Sequence, residues 1–260
     1  MTAIRSVLYN IYFFGGTALF VVTMLPLMLC PRPWMQSAVS WLARSMAFGA
    51  RWLIGLRIEV RGRENIPEGA VIFASKHQSA WDTSFFYIEC PDPAYVLKRE
   101  LLKIPLWGWY TQKCKAINVD RAGGASALKR LVADVQDRLA NGRQVIVFPE
   151  GSRTAPGHRA PFHPGIAAIY ARTEAPVVPV ALNSGLFWGR RSFLKQRGVI
   201  TVEFLPPMPR GLKRRDFMEA LSQQIGDATD RLEAEGLRRF PQVRGAYHKE
   251  AGAATSENVD

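Results

Sequence analysis

A chain of 260 residues that is 48% hydrophobic is long enough for one sizeable core with additions, and too apolar for a disordered polymer. Its net charge of +12 and pI of about 10.0 predict an anionic partner: nucleic acid, anionic lipid or a phosphorylated small molecule. Three cysteines, Cys30, Cys90 and Cys114, without C-x-x-C spacing argue against a disulfide framework or structural zinc and fit a reducing compartment.

From Ser6 to Cys30 there is no charged residue, a run long enough to cross a bilayer. It carries Gly15-Gly16 and ends at Pro26 and the Pro31-Arg32-Pro33-Trp34 break. The run is too long for the apolar region of a signal peptide, and no small-x-small cleavage site precedes the prolines. Trp34 to Leu56 is amphipathic, with Trp41, Met46, Phe48, Trp52 and Leu53 among Arg44 and Arg51, and no acid occurs before Glu59. Apolar and aromatic residues with purely basic charge predict a helix at an anionic membrane surface. A buried core hairpin is the alternative. Residues 1–56 are therefore expected to attach a soluble domain, residues 57–240, to a membrane. An anchor of this kind argues against nucleic acid as the anionic partner.

Strand and helix patterns alternate from Arg57 onward. Arg57–Arg61 alternates with period two, and Ala70–Ala74 is a continuous apolar run, the pattern of a strand covered on both faces. Ala94–Leu97 and Ala116–Val119 are short strand candidates. Ala125–Ala140 predicts a helix with Leu128, Leu131, Val132, Val135 and Leu139 on one face, closed by Asn141-Gly142. Gln144–Phe148, Pro176–Leu182 and Val199–Leu205 predict strands, and Leu212–Leu237 a last long helix. After Pro241 the chain turns small and polar, and residues 241–260 are expected to be a frayed tail. The order implies an α/β domain with a largely parallel central sheet flanked by helices. In such sheets ligands bind at the carboxyl ends of strands. His77 follows one predicted strand end and Glu150 another, so both can face one cleft.

Two clusters carry chemistry. Ser75-Lys76-His77-Gln78-Ser79-Ala80-Trp81-Asp82 pairs a histidine with a carboxylate across four intervening residues. Residues five apart do not share a helix face. The spacing thus puts His77 in a turn and Asp82 in the first turn of a helix, folding back to it. Neutral imidazole is the usual general base, and a carboxylate fixes its tautomer. The second cluster, Phe148-Pro149-Glu150-Gly151-Ser152-Arg153, puts an acid, a flexible glycine, a hydroxyl and a cation in one loop. Arg153, Arg121 and Lys98 are candidate phosphate ligands, with Glu150 positioning them or binding a substrate hydroxyl. No serine sits in a nucleophile elbow. Cys114, between Lys113 and Lys115, is the one candidate for a reactive thiol. His158 and His163 lack metal-ligand spacing with His77 and Asp82, so no metal is expected.

These residues resemble the bacterial 1-acylglycerol-3-phosphate acyltransferases of the glycerolipid acyltransferase superfamily. Four ordered blocks carry the resemblance: His77 to Asp82, Ile117-Asn118-Val119-Asp120-Arg121, Phe148 to Arg153, and Val177-Val178-Pro179-Val180-Ala181. The Lys98-Arg99-Glu100-Leu101 and Ile104–Gly108 stretches fit as well. Lys76 stands where many members have asparagine, Ser152 where threonine is commoner, and His163 where a lysine is frequent.

The resemblance implies transfer of an acyl chain from a thioester of acyl-carrier protein or coenzyme A to 1-acylglycerol-3-phosphate. The product would be phosphatidic acid. It implies His77 as base and Asp82 as its orienter, with phosphate held by Lys98, Arg121 and Arg153 on a loop shaped by Glu150, Gly151 and Ser152. Beyond the co-substrate thioester, no cofactor is implied. The expected partners are lysophosphatidic acid, the thioester carrier and anionic membrane lipid, at the cytoplasmic face of the cell membrane. Glycerol-3-phosphate, other lysophospholipids and lyso-ornithine lipid remain alternative acceptors. A non-catalytic protein that binds anionic lipid is the rival reading, and it leaves the His–Asp pair without a use.

Overall fold

The computed structural model describes residues 2–121, 123–190, 192–245 and 247. Two antiparallel helices open the chain, α1 (Thr2–Thr23) and α2 (Arg32–Gly49), joined through a 3-10 turn at Leu25–Met28. A π-helical turn, Ala50–Ile54, extends α2 and stops at Gly55, whose φ of 81° no β-branched residue would tolerate.

The rest is an α/β domain. Its strands are β1 (Leu56–Arg61), β2 (Ile72–Ser75), β3 (Pro93–Lys98), β4 (Ile117–Val119), β5 (Gln144–Val147), β6 (Val177–Leu182) and β7 (Gly198–Phe204). The helices are α3 (Trp81–Glu89), α4 (Trp107–Lys113), α5 (Gly124–Ala140), α6 (Gly165–Arg172) and α7 (Arg214–Arg239). The seven strands form one sheet in the order β1-β7-β6-β2-β5-β3-β4. Every pairing is parallel except β6 with β7. That reversal has a local cause. Among its described residues the connection 183–197 holds a single 3-10 turn, Ser184–Leu186, and no helix to carry the chain back for a parallel crossover. The periodicity of β7 reports its burial but not its direction.

Side chains alternate across the central strands. On β2, Phe73 faces a core with Phe85, Phe86 and Phe204. Its neighbours Ile72 and Ala74 face the opposite core, with Val145 and Val147 of β5, Ile166 and Ile169 of α6, and Phe217 and Leu221 of α7. Thus α3 and the N-terminal helices cover one face, and α5, α6 and α7 the other. The short helices α4 and α6 are additions to the elements expected from the sequence.

The N-terminal helices are neither free nor fully buried. On α1 the inner side buries Ser6, Tyr9, Asn10 and Phe20. Tyr9 packs edge-on against Trp188 at 5.5 Å. The outer side exposes Ile4, Val7, Leu8, Ile11, Phe14, Leu19 and Val22, an apolar stripe at helical spacing. On α2 the outward stripe is Trp34, Trp41, Arg44, Phe48, Arg51 and Trp52. Arg32 fastens the start of α2 to Asp92 through two hydrogen bonds of 2.7 Å. Of the expected tail, Pro241–Val243 form a 3-10 turn with Val243 buried. The frayed end expected over 248–260 lies outside the described residues.

Candidate active site

Five parallel strands, in the order β6, β2, β5, β3, β4, end at one edge of the sheet. The segments just past those ends hold Ser184, the His77 turn, the Phe148–Arg153 loop, Lys98 and Arg121, in that spatial order. The topology therefore gathers residues more than a hundred positions apart.

His77 lies between β2 and α3, and Asp82 in the first turn of α3. Nδ1 of His77 is 2.9 Å from Oδ2 of Asp82. Oδ2 also accepts from the backbone N–H of Gln78 at 2.7 Å and of Ser79 at 2.8 Å. The other oxygen, Oδ1, accepts from the Ser184 hydroxyl at 2.5 Å. Asp82 and Ser184 are both fully buried. A carboxylate held by four donors has one orientation, and that orientation requires Nδ1–H on His77. The lone pair is then on Nε2, which makes no hydrogen bond among the described residues. The imidazole stacks on Phe148 with centroids 4.0 Å apart and planes 20° from parallel. Partner and stacking ring together hold the imidazole against one wall.

Phe148 belongs also to a cavity of about 330 Å³ between the ends of β3, β4 and β5 and helices α5 and α6. Its depth is apolar, with Val96, Leu128, Leu131, Ile166 and Ile169, and its rim carries Lys98, Asp120, Arg121 and His163. Phe148 thus touches both the imidazole and the cavity, which His77 itself does not line.

The other sequence candidates divide. Lys98, Arg121 and Gly151 line the cavity. Arg121 donates to the carbonyl of Gly151 at 2.5 Å. Gly151 has φ 70°, and a Cβ there would lie 2.6 Å from the His163 ring and 2.9 Å from the Arg121 guanidinium. Ser152 is exposed and Arg153 half-buried on the same loop, and neither lines the cavity. Glu150 is turned inward. Its Oε1 accepts from Lys76 Nζ at 2.5 Å, and both side chains are buried. Lys76 Nζ donates also to the carbonyl of His158 at 3.0 Å. Glu150 therefore binds the two loops together and pairs with Lys76, not with Arg153. Cys114 is buried, and burial pushes its thiol up to about 11, far from a reactive thiolate.

Three groups escaped sequence reasoning. Ser184 is an ordinary serine beyond the fourth block. Gln78 and Glu233 form a buried link, with Gln78 Nε2 donating to Glu233 Oε1 at 2.6 Å and the N–H of Gly157 to Oε2 at 2.8 Å. Burial pushes the Glu233 carboxyl up to about 7, against the hydrogen bonds from Gln78 and Gly157. Gln78 closes the network by accepting the N–H of Gly185 at 3.0 Å. His163 was visible as a departure from the expected lysine. Burial first, and Arg121 second, lower the pKa of its imidazole.

Comparison with known proteins places this geometry. The Acyltransferase family profile matches residues 57–183, which include the His77 turn, Lys98, Arg121, the Glu150 loop and β6. The 1-acyl-sn-glycerol-3-phosphate acyltransferase of Pseudomonas aeruginosa is 36% identical over 216 residues, 79% of this chain and 81% of that protein. A protein of the same name from Limnanthes alba is 30% identical, over 70% of this chain and 65% of its own. The crystal structure of the 1-acyl-sn-glycerophosphate (LPA) acyltransferase PlsC from Thermotoga maritima superposes with a TM-score of 0.72, covering 90% of this chain and all of that one. At 21% identity that likeness speaks for the fold. The chain is an acyltransferase and belongs to the family of the 1-acyl-sn-glycerol-3-phosphate acyltransferases.

Proposed function

We propose that the enzyme transfers a fatty acyl group from a coenzyme A or acyl-carrier-protein thioester to the sn-2 hydroxyl of 1-acylglycerol-3-phosphate, giving phosphatidic acid. The observation that carries this reading is the open Nε2 of an oriented His77 beside a cavity with an apolar depth and a cationic rim. Nε2 takes the hydroxyl proton as the acceptor oxygen attacks the thioester carbonyl. The tetrahedral oxyanion collapses, the carbon–sulfur bond breaks, and the imidazolium returns its proton to the thiolate. A thioester is already activated, so the chain's own residues need form no acyl-enzyme. Lys98 and Arg121 at the rim suit the acceptor phosphate, and Arg153 on the adjoining loop has no hydrogen-bond or ion-pair partner among the described residues to compete with one.

Residues 1–56 act in attachment, and residues 57–240 carry the chemistry. Helix α1 is long and apolar enough to cross a bilayer. Yet both of its halves are fastened to the catalytic domain. Ser6 Oγ accepts the N–H of Lys195 at 2.9 Å, Asn10 donates to the Phe193 carbonyl at 3.0 Å, and Tyr110 donates to the Val21 carbonyl at 2.5 Å. A spanning helix puts its ends on opposite sides of about 30 Å of hydrocarbon. Fastening at both ends favours a helix lying along one leaflet with its apolar stripe inward to the lipid. Soluble thioester donors and the basic helices favour the cytoplasmic face of the cell membrane.

The test is a product assay offering lysophosphatidic acid, glycerol-3-phosphate and lyso-ornithine lipid side by side, each with both thioester donors. Phosphatidic acid is the expected product, and His77→Ala is expected to lose at least about 10²–10⁴-fold in turnover while folding normally. Preferential acylation of another acceptor, or near-normal turnover by folded His77→Ala, overturns the substrate or the base respectively.

A further inference from the structure

The apolar surface does not end with the N-terminal helices. Beyond β3 the chain turns outward before α4, and this stretch exposes Leu101 at 36%, Ile104 at 45%, Trp107 at 37% and Trp109 at 54%. A soluble domain rarely displays two tryptophans and two aliphatic residues within nine positions. The stretch begins three residues after a rim residue of the cavity, Lys98. Arg99 pairs with Asp120, another rim residue, at 3.0 Å.

The stretch is rigid for a protruding one. Tyr110 and Gly108 are buried behind the exposed tryptophans. A Cβ on Gly108 would lie 2.1 Å from the Leu102 carbonyl, so the chain folds tightly on itself there. It is also seated on the N-terminal helices: Tyr110 donates to Val21, Lys113 Nζ donates to the Met28 carbonyl at 2.8 Å, and Leu106 packs in a cluster with Leu25, Met28 and Met35. Its exposed face therefore adjoins the turn between α1 and α2, where Val22, Leu29 and Trp34 are exposed.

We propose that Leu101–Trp109 is a second bilayer-inserting element, contributed by the catalytic domain itself, that seats the cavity rim in the headgroup layer of an anionic membrane. The inference rests on the membrane attachment proposed above for residues 1–56. Charge selects lipid over a protein partner. From Lys98 to Lys115 the chain carries five basic residues and one acid, Glu100. Tryptophan at a headgroup boundary, with lysines reaching outward, is the composition of an interfacial anchor. Continuity with the acid-free face of α1 and α2 points the same way. The consequence is that a lysolipid acceptor enters the cavity from the leaflet, without crossing water.

The experiment uses the full chain with Trp34, Trp41 and Trp52 replaced by Phe, so that Trp107 and Trp109 are the exposed indoles. Vesicles of phosphatidylglycerol and phosphatidylcholine, with acyl chains brominated near the headgroup, serve as the probe. Fluorescence quenching is expected, and it should vanish when Trp107→Phe and Trp109→Phe are added. In the otherwise unaltered chain, Ile104→Glu with Trp109→Glu should lower vesicle partitioning about tenfold or more, with circular dichroism and Tm unchanged. Equal quenching with and without Trp107 and Trp109, while the parent binds vesicles, overturns the proposal and leaves the attachment by residues 1–56 standing. Failure of the parent chain to bind vesicles overturns both. A concentration-dependent dimer that Ile104→Glu with Trp109→Glu abolishes, with no quenching, assigns the patch to a second copy and overturns it also. None of these readouts depends on which acceptor is acylated.

Discussion

At the scale of single residues, the base proposed in His77 can be only as good as the carboxylate behind it. Among the described residues, Ser184 supplies the one hydrogen bond to Asp82 Oδ1. Ser184→Ala leaves that oxygen buried without a donor, which costs about 1–3 kcal/mol of stability, and frees the carboxylate to turn away from Nδ1. We expect kcat to fall several-fold more than either KM changes, read from steady-state kinetics beside a melting curve. A KM effect with unchanged kcat would refute the positioning role. Lys76→Met should act differently. It strands the Glu150 carboxylate in the interior, and breaking a buried pair costs about 3–5 kcal/mol. The expected outcome is a large drop in Tm by calorimetry, with the folded fraction still active.

Two arginines near the cavity allow a cleaner contrast. Arg121 is engaged by the Gly151 carbonyl, whereas Arg153 has no hydrogen-bond or ion-pair partner among the described residues. If Arg153 meets the acceptor phosphate, Arg153→Ala raises KM for lysophosphatidic acid by about ten- to a hundredfold, the worth of a charge-assisted hydrogen bond. KM for the thioester and Tm should hardly move. Arg121→Ala should raise the same KM and lower Tm as well, because the Gly151 loop loses its clasp. Equal KM effects on both substrates by Arg153→Ala would remove it from the phosphate site.

Elements were more legible than contacts. The seven strands follow from short apolar or period-two runs, because central strands such as β2 and β6 are buried on both faces, and the long helices α5 and α7 follow from helical periodicity. Short α4 and α6 span too few turns to show a period. The antiparallel β7 was hidden because a strand's hydrophobic pattern reads the same in either direction. In the site, His77, Asp82 and the Glu150–Arg153 loop were visible because unusual residue types stand close together in sequence. Ser184, Gln78 and Glu233 were not, since each is a common residue whose role depends on partners up to 155 positions away. Glu150 shows the same limit from the other side: its place in a cationic loop was legible, but its choice of Lys76 over Arg153 needed the fold.

At the scale of the whole molecule, helix α7 closes the structure by reaching the His77 turn. Glu233 binds Gln78, the residue after His77, and Gly157 beyond the Glu150 loop. This acid carries a pH dependence whose sign follows from its burial. Its carboxyl titrates near 7 when folded and near the ordinary 4.5 when unfolded. Below 4.5 both states hold the proton and no penalty applies. As pH rises towards 7 the unfolded chain releases the proton first, so stability falls, and above 7 the loss is complete. The loss is on the order of 3 kcal/mol. Glu233→Gln carries no charge to bury, so it lacks this loss, although its amide offers one acceptor where the acid offers two. The difference in Tm, variant minus parent, should therefore be several degrees more positive at pH 8 than at pH 5. Comparing the two proteins in matched buffers cancels every other titrating group. A difference independent of pH would show that Glu233 is ionised in both states throughout, and that the hydrogen bonds from Gln78 and Gly157 outweigh its burial.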